Sequence, residues 1–186
     1  MIGYALCGSF CTHQKSLEMM GKLKKGGYQI LPIISETVSN TDTRFGTASC
    51  LKEQIFTICE REAICNIVQA EPLGPNIKLD IMVICPCTGN TLAKIANGIT
   101  DTAVCMAAKA HLRGDRPLVI ALASNDALSA NLQNISLLLS KKHVYFVPMV
   151  QDDPHNKPHS LVANFDRLPE TIEHALLGKQ CRKLFE

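Results

Sequence analysis

The 186-residue sequence lacks the features that mark membrane, secreted and nucleic-acid-binding proteins. No apolar run approaches the length that spans a bilayer, and the start, MIGYALCGSFC, has neither a basic segment nor a cleavage-site pattern. The formal net charge is only +2, and the longest basic cluster is Lys22, Lys24 and Lys25. We therefore expect a soluble, unprocessed protein with no membrane and no nucleic-acid partner.

The cysteines lack the spacing of a metal site or a disulfide framework. Nine are present, an odd number, and the closest ligand pairs are Cys7/Cys11, Cys85/Cys87 and His155/His159. None of these forms the paired C-x-x-C arrangement of a structural zinc site. We expect free thiols that pack in the core or loops, no metal, and a reducing compartment, which is the cytoplasm.

The glycine motifs of dinucleotide and nucleoside triphosphate sites are also missing. There is no G-x-G-x-x-G and no Walker A sequence, and the first predicted strand ends in a single glycine, Gly8, followed by Ser9. One Gly-Ser turn beside a helix start can hold a single phosphate, which suits a mononucleotide such as FMN. Taken alone the motif is weak, because an ordinary turn has the same sequence.

What the sequence does contain is a regular alternation of strand and helix patterns. The predicted strands are 2–7, 28–34, 64–68, 81–85, 118–123 and 144–148, and the predicted helices are 13–25, 47–62, 92–96, 102–112, 127–141 and 169–177. Strands that are apolar throughout are typical of a parallel sheet covered on both faces. The sequence predicts a three-layer α/β/α fold with a doubly wound, mostly parallel sheet. It forms one domain, 1–186, with an irregular polar segment near 151–160.

Four loops should meet at the carboxyl edge of this sheet. They begin with Gly8, Ser35, Pro86 and Ala123, and each is rich in small hydrogen-bonding residues. The most informative is DIMVICPCTGNTLAKIANG, residues 80–98, where an apolar strand stops at Pro86 and small polar residues precede a helix. Such a loop directs backbone N–H groups into the crevice at the sheet edge, which predicts a site for a polar cofactor.

The segment PCTGNTLAKIANGITD, residues 86–101, resembles a signature of the FMN-binding flavoprotein family. That family includes cysteine decarboxylases and flavin prenyltransferases, and its signature reads P-A-S-A-N-T-x-x-K-x-A-x-G-x-x-D. The resemblance implies a Rossmann-like flavoprotein fold, FMN as cofactor and a homo-oligomer of three subunits or a multiple of three. It implies Ser9 and Ser35 near the phosphate and Asn90 as a polar contact. The implied cofactor-binding residues are Gly8, Ser9, Phe10, Ser35, Pro86, Cys87, Thr88, Gly89, Asn90, Thr91, Ala123, Ser124 and Asn125.

More narrowly, ALCGSFCTH, ICPCTGNTLAKIANGITD and ALASNDALSANLQNI resemble one branch of this family, found in spore-forming bacteria. Members of that branch are subunits of an oxidoreductase that forms pyridine-2,6-dicarboxylate in the mother-cell cytoplasm during sporulation. The resemblance implies a small dicarboxylate substrate that is dehydrated and oxidised, and a partner subunit that binds NADP. Candidate cations for such a substrate are Arg44, Lys94, Arg113 and Lys157, which the sequence leaves unranked.

The sequence also departs from the family pattern. Decarboxylases of the family carry a histidine shortly before the signature strand, and residues 71–75 here, EPLGP, contain none. Cysteine decarboxylation by the family mechanism is therefore not expected. Two alternatives stay open: a non-catalytic subunit that keeps the flavoprotein fold and stabilises its partner, and an independent FMN enzyme acting on another acid.

Overall fold

The computed structural model describes residues 1–186 and is built around a sheet of seven strands. The strands are β1 (Ile2–Leu6), β2 (Ile30–Ile34), β3 (Ile81–Cys87), β4 (Leu118–Ser124), β5 (Val144–Phe146), β6 (Met149–Val150) and β7 (Leu161–Ala163). The first five are parallel in the order β2-β1-β3-β4-β5. The end of β4 pairs with β7 in the antiparallel direction, and β7 pairs with β6.

Helices cover both faces of the sheet. They are α1 (His13–Lys25), α2 (Glu36–Asn40), α3 (Ala48–Cys59), α4 (Ile67–Ala70), α5 (Gly89–Ala96), α6 (Ala103–Leu112), α7 (Leu132–Leu139) and α8 (Leu168–Leu176). Helices α1, α3 and α8 pack on one face, whereas α4, α5, α6 and α7 pack on the other. The predicted three-layer, doubly wound fold is confirmed. No helix is long and apolar enough to pass through a lipid bilayer.

The strands form because their residues are apolar on both faces. In β1 the side chains of Tyr4 and Leu6 enter the core under α1, while Ala5 and the following Cys7 enter the core under the opposite helices. Every residue of β1, β3 and β4 is buried. Complete burial of a large apolar side chain contributes about 1.5–3 kcal/mol, so these central strands hold the two helical layers together.

The strand order reverses direction between β1 and β3. The chain leaves β1 to form β2 on one side, then returns to form β3 on the other side of β1. Connections on either side of this point lie on opposite faces of the sheet, so the loops after β1 and β3 diverge and leave a crevice. The topology therefore places the Gly8 loop and the Pro86–Thr91 loop side by side.

Two predicted elements are wrong in part. Residues 64–68 do not form a strand: Ile64 makes one isolated bridge to Ile33, and Asn66 then caps α4 by accepting a 2.9 Å hydrogen bond from Gln69 N. The helix predicted from Ala127 begins only at Leu132. In both cases a side chain or backbone oxygen forms a local hydrogen bond that replaces the regular pattern.

The antiparallel strands β6 and β7 were not predicted. The strand expected over 144–148 ends at Phe146, and β6 starts at Met149, after Pro148. Each of the two new strands is only two or three residues long, so periodicity carries little signal for it. The segment between them, 151–160, has no helix or strand.

Candidate cofactor site

The loop after β1 presents unpartnered backbone donors. Ser9 has a left-handed conformation, with φ 65°, and its Oγ donates to Ala123 O at 3.2 Å. The N–H groups of Gly8 and Ser9 donate to no other group of the chain. Successive N–H groups that flank a left-handed residue form a concave anion-binding nest. The first loop is therefore tied to the end of β4 while its amides stay available to a ligand.

The loop after β3 begins α5 beside this nest. Thr88 caps the helix by accepting from Thr91 N at 3.3 Å, and its hydroxyl lies 3.2 Å from that of Thr91. A Cβ at Gly8 would lie only 3.4 Å from Thr88 Cγ2, so the two loops are in contact. The Thr88 N–H is directed at the Cys7 thiol, and Asn90 is exposed on the first turn of α5. Polar donors of both loops thus border the same crevice.

The loop after β4 forms a hydrogen-bonded network against α5. The Asp126 carboxylate accepts from Ser124 Oγ and, at 2.9 Å, from Asn131 Nδ2, which holds the pKa of Asp126 below its usual range. Asn134 then donates to Asn131 Oδ1 at 2.9 Å. Gly89 sits directly over this network, because a Cβ there would lie 2.5 Å from Ser124 Oγ and 2.8 Å from Asp126 Oδ1. Only glycine permits this approach.

The loop after β2 ties a second carboxylate to a helix start. Ser35 caps α2 by accepting from Val38 N at 3.3 Å, and its own N–H donates to Leu6 O at 3.0 Å. The next residue, Glu36, accepts from Ala103 N with both carboxylate oxygens, at 3.0 and 3.2 Å. A carboxylate at a helix N-terminus interacts favourably with the helix dipole.

These contacts determine where an added anion fits best. Asp126 already occupies the approach to the start of α5, and Glu36 occupies the start of α6. The N–H groups of the Gly8–Ser9 nest donate to no carboxylate of the chain. A phosphate would find available donors at this nest without displacing a charged side chain.

The predicted site residues other than Asn90, described above, fall into four groups. Gly8, Ser9, Thr88 and Gly89 are brought together with Ser124, whose side chain is 9% exposed. A second group can contact a ligand in the crevice only through backbone atoms, because the side chains are buried. These residues are Pro86, Cys87 and Ala123. Phe10 packs against His13 with ring centroids 5.1 Å apart, Asn125 is exposed, and Thr91 is held by Thr88. Ser35 is tied into its own helix start.

Two buried thiols at this edge have no nucleophilic character. Burial raises the pKa of Cys7 to about 12 and raises the pKa of Cys87 well above its usual value. The reactive form of cysteine is the thiolate. Both side chains therefore stay protonated and act as small apolar groups of the core.

Asn131 and Asn134 support the site but were missed in the sequence. They are 6% and 5% exposed, and they connect Asp126 to Asn97 at the end of α5, where Asn97 Nδ2 lies 3.3 Å from Asn134 Oδ1. Their only signal was two amides at i, i+3 spacing in a segment predicted as an ordinary helix. Buried amides need partners, so such a pair indicates a polar network.

The structure ranks the four candidate cations. Lys94 Nζ is 2.8 Å from both Asp101 carboxylate oxygens, and Lys157 Nζ is 3.0 Å from Asp152 Oδ2. Arg113 lies at the opposite, amino edge, at the end of α6. Arg44 forms no ion pair; its guanidinium carbon stacks 4.9 Å from the centre of the Phe45 ring. Phe45 and Phe10 border one cavity of about 150 Å³, so Arg44 is the unpaired cation of the four that lies beside the first loop.

Residues 1–167 match the family model described as Flavoprotein. The chain belongs to the Flavoprotein family. Over 183 residues this Flavoprotein member is 44% identical to the B subunit of dipicolinate synthase from Bacillus subtilis (strain 168), an alignment that covers 98% of this chain and 92% of the relative.

Solved structures give the same relationship. The crystal structure of the dipicolinate synthase B subunit from Bacillus halodurans C matches with a TM-score of 0.92 and 44% identity, covering 100% of this chain and 95% of that one. An FMN-dependent cysteine decarboxylase matches with a TM-score of 0.68 and 20% identity, covering 95% and 94% of the two chains. The latter similarity shows that the Flavoprotein fold is shared.

Proposed function

We propose that this Flavoprotein chain binds FMN at the carboxyl edge of its sheet and serves as the B subunit of a dipicolinate synthase. The observation that carries the cofactor proposal is the pair of available N–H groups at Gly8 and Ser9 in the crevice where the strand order reverses. The subunit proposal rests on 44% identity to the dipicolinate synthase B subunit over 98% of the chain.

The residues present fit a mononucleotide. The Gly8–Ser9 nest would hold the phosphate, and Ser35 at the start of α2 adds a hydroxyl at the same edge. Asn90 would contact the flavin from the first turn of α5, with Ser124 and Asn125 across the crevice. When bound, FMN supplies a two-electron acceptor for oxidation of an organic substrate.

The proposed substrate is a hydroxy-tetrahydrodipicolinate, which loses water and is oxidised to aromatic dipicolinate. A dicarboxylate needs a cation, and Arg44 is the candidate close to the first loop that no carboxylate of the chain neutralises. The guanidinium can bind a carboxylate through two N–H groups, and its stacking on Phe45 fixes the plane of those donors. Arg44 would therefore orient substrate beside the first loop.

The proposal that this chain is a B subunit also implies its partners. A separate A subunit would bind NADP, and copies of this chain would assemble into a trimer or a multiple of trimers. The place of action would be the mother-cell cytoplasm of a sporulating bacterium.

A second function is favoured by one observation. Glu36 and Asp126, the two carboxylates of the loops after β2 and β4, are engaged in hydrogen bonds, and residues 71–75 contain no histidine, so the position of the family's acid/base group is not filled. This supports a subunit that stabilises its partner and leaves proton transfer to it.

Reconstitution tests these proposals. Purified chain, with and without FMN, is mixed with the A subunit, NADP and substrate, and dipicolinate is measured by its ultraviolet absorption. We expect product only with both subunits, and more with FMN. A flavin-independent rate with bound flavin absent would support the stabilising role, whereas dipicolinate formed by this chain alone would contradict the two-subunit proposal. Turnover of a different acid by the FMN-loaded chain would identify an independent enzyme.

A matched pair of variants locates the cofactor. Gly8→Val adds methyl groups against Thr88 and fills the crevice, whereas Gly21→Ala adds one in α1 where no atom lies within 4 Å. We expect Gly8→Val to weaken FMN binding at least tenfold and Gly21→Ala to leave it unchanged. Equal binding by both variants would place FMN elsewhere.

A further inference from the structure

A second cavity lies at the amino edge of the sheet, away from the four loops of the proposed cofactor site. It has a volume of about 570 Å³ and opens between the end of α5, the end of α6 and the start of β5. Its floor is formed by Ile95, Cys105 and Val144, which are at most 8% exposed. This volume and apolar floor are typical of a small-molecule site.

The rim of this cavity is strongly basic. It carries Lys109, Arg113, Lys141 and Lys142 against one carboxylate, Asp115, which lies 3.7 Å from His143 Nε2. Lys141 Nζ donates to the backbone carbonyl of Ala96, at 3.2 Å, near the end of α5. The other three cations pair with no carboxylate of the chain. Three positive charges are therefore unneutralised around one opening.

This clustering of positive charges destabilises the folded chain when no anion is bound. Lys109 and Arg113 are four residues apart at the end of α6, so they lie on one side of the helix, where like charges repel. The helix dipole favours cations at that end. It accounts neither for Lys142, which comes from the segment before β5, nor for an apolar cavity beneath the charges.

We propose that this cavity binds a flat organic anion with two carboxylate groups. Its ring would contact the floor at Ile95 and Val144, and its carboxylates would pair with Lys109, Arg113 and Lys142. Arginine and lysine bind carboxylates through charge-assisted hydrogen bonds, which are stronger beside an apolar surface. The site is separate from the carboxyl edge, so the inference does not depend on FMN binding.

Calorimetric titration with benzene-1,3-dicarboxylate at low ionic strength tests the site. The intact chain is compared with K109Q/R113Q/K142Q and with a control, K25Q/K78Q/K179Q, which removes three exposed lysines that form no ion pair and lie outside the cavity. We expect saturable one-to-one binding by the wild type and the control, and affinity at least tenfold weaker in the cavity variant.

A second variant shows whether a loss of binding can be separated from a loss of folding. Ile99, at the mouth of the cavity, is 47% exposed, so Ile99→Asp adds a carboxylate there with little loss of buried surface. It should also weaken binding at least tenfold while thermal unfolding stays near that of the wild type. The proposal is overturned if no saturable binding occurs, if both triple variants bind alike, if sulfate competes as well as the dicarboxylate, or if Gly8→Val abolishes the binding.

Discussion

The two edges of the parallel sheet differ in how they present polar groups. At the carboxyl edge the donors are backbone N–H groups of Gly8 and Ser9. The Glu36 carboxylate is bound to the start of α6, and the Asp126 carboxylate is held by side chains of its own loop. At the amino edge the polar groups are long cationic side chains around an apolar cavity. Backbone donors are fixed by the fold, whereas lysine and arginine side chains adapt. The carboxyl edge is thus suited to hold one cofactor rigidly, and the amino edge to take up an exchangeable anion.

The largest expected effect comes from a substitution that disrupts the hydrogen-bonded loops at the carboxyl edge. Gly89→Ala places a methyl group 2.5 Å from Ser124 Oγ and 2.5 Å from Asn131 Nδ2, so the hydrogen bonds to Asp126 must open. We expect a loss of about 3–5 kcal/mol in the free energy of unfolding, measured in urea, together with loss of FMN binding. Gly21→Ala is the control and should be neutral or slightly stabilising, because it lies in an open part of α1.

The next largest expected effect is a dependence of the unfolding free energy on pH, caused by a histidine near the amino edge. His111 is 1% exposed, its Nε2 lies 2.8 Å from Pro117 O, and burial lowers its pKa to about 4. Because the folded pKa is below the unfolded value of about 6.5, its contribution to stability is complete above that pH and is lost as pH falls toward 4. We expect the wild type to lose about 2 kcal/mol of unfolding free energy between pH 7 and 5 through this group.

Urea unfolding at a series of pH values measures this loss. His111→Gln should flatten the profile between pH 7 and 5, even though it lowers stability at pH 7. His155→Gln, in the exposed segment after β6, is the control and should keep the wild-type slope. Equal slopes in all three proteins would show that His111 is not the titrating group.

A smaller effect tests whether the substrate binds at the carboxyl edge. Arg44→Gln removes the unpaired guanidinium next to the first loop, and KM for the dicarboxylate should rise about tenfold with kcat changed much less. Lys25→Gln, which removes an exposed lysine elsewhere, should leave both constants unchanged. A fall in kcat at constant KM would instead give Arg44 a role in the chemical step.

The smallest effect tests the carboxylate beside α5. Hydrogen bonds from Ser124 and Asn131 lower the pKa of Asp126, so its stabilisation is present above its unfolded pKa and disappears as pH falls through the folded value. Asp126→Asn should cost up to about 1 kcal/mol at pH 7 and should lose less stability than the wild type below pH 4. An unchanged acid limb in urea unfolding would contradict this role for the carboxylate.

The sequence predicted the parallel half of the fold because those strands are apolar throughout and are separated by helices. It also located the loops at Gly8, Pro86 and Ala123, since small polar residues follow each strand. It could not show that Glu36 occupies the start of α6, because Glu36 meets Ala103 only after folding. The chain after β4 was harder to predict: β6 and β7 are short, and a turn at Asp126 delays α7 by five residues relative to the predicted start.

Comparison of FMN with riboflavin tests the central claim most directly, since the two ligands differ only in the phosphate that the Gly8–Ser9 nest would hold. Titration of the purified chain, followed by quenching of flavin fluorescence, should give one FMN per chain and a riboflavin affinity at least about 100-fold weaker, as expected for several hydrogen bonds to a charged group. Equal affinities, or no quenching by FMN, would contradict a phosphate-holding cofactor site at the carboxyl edge of this sheet.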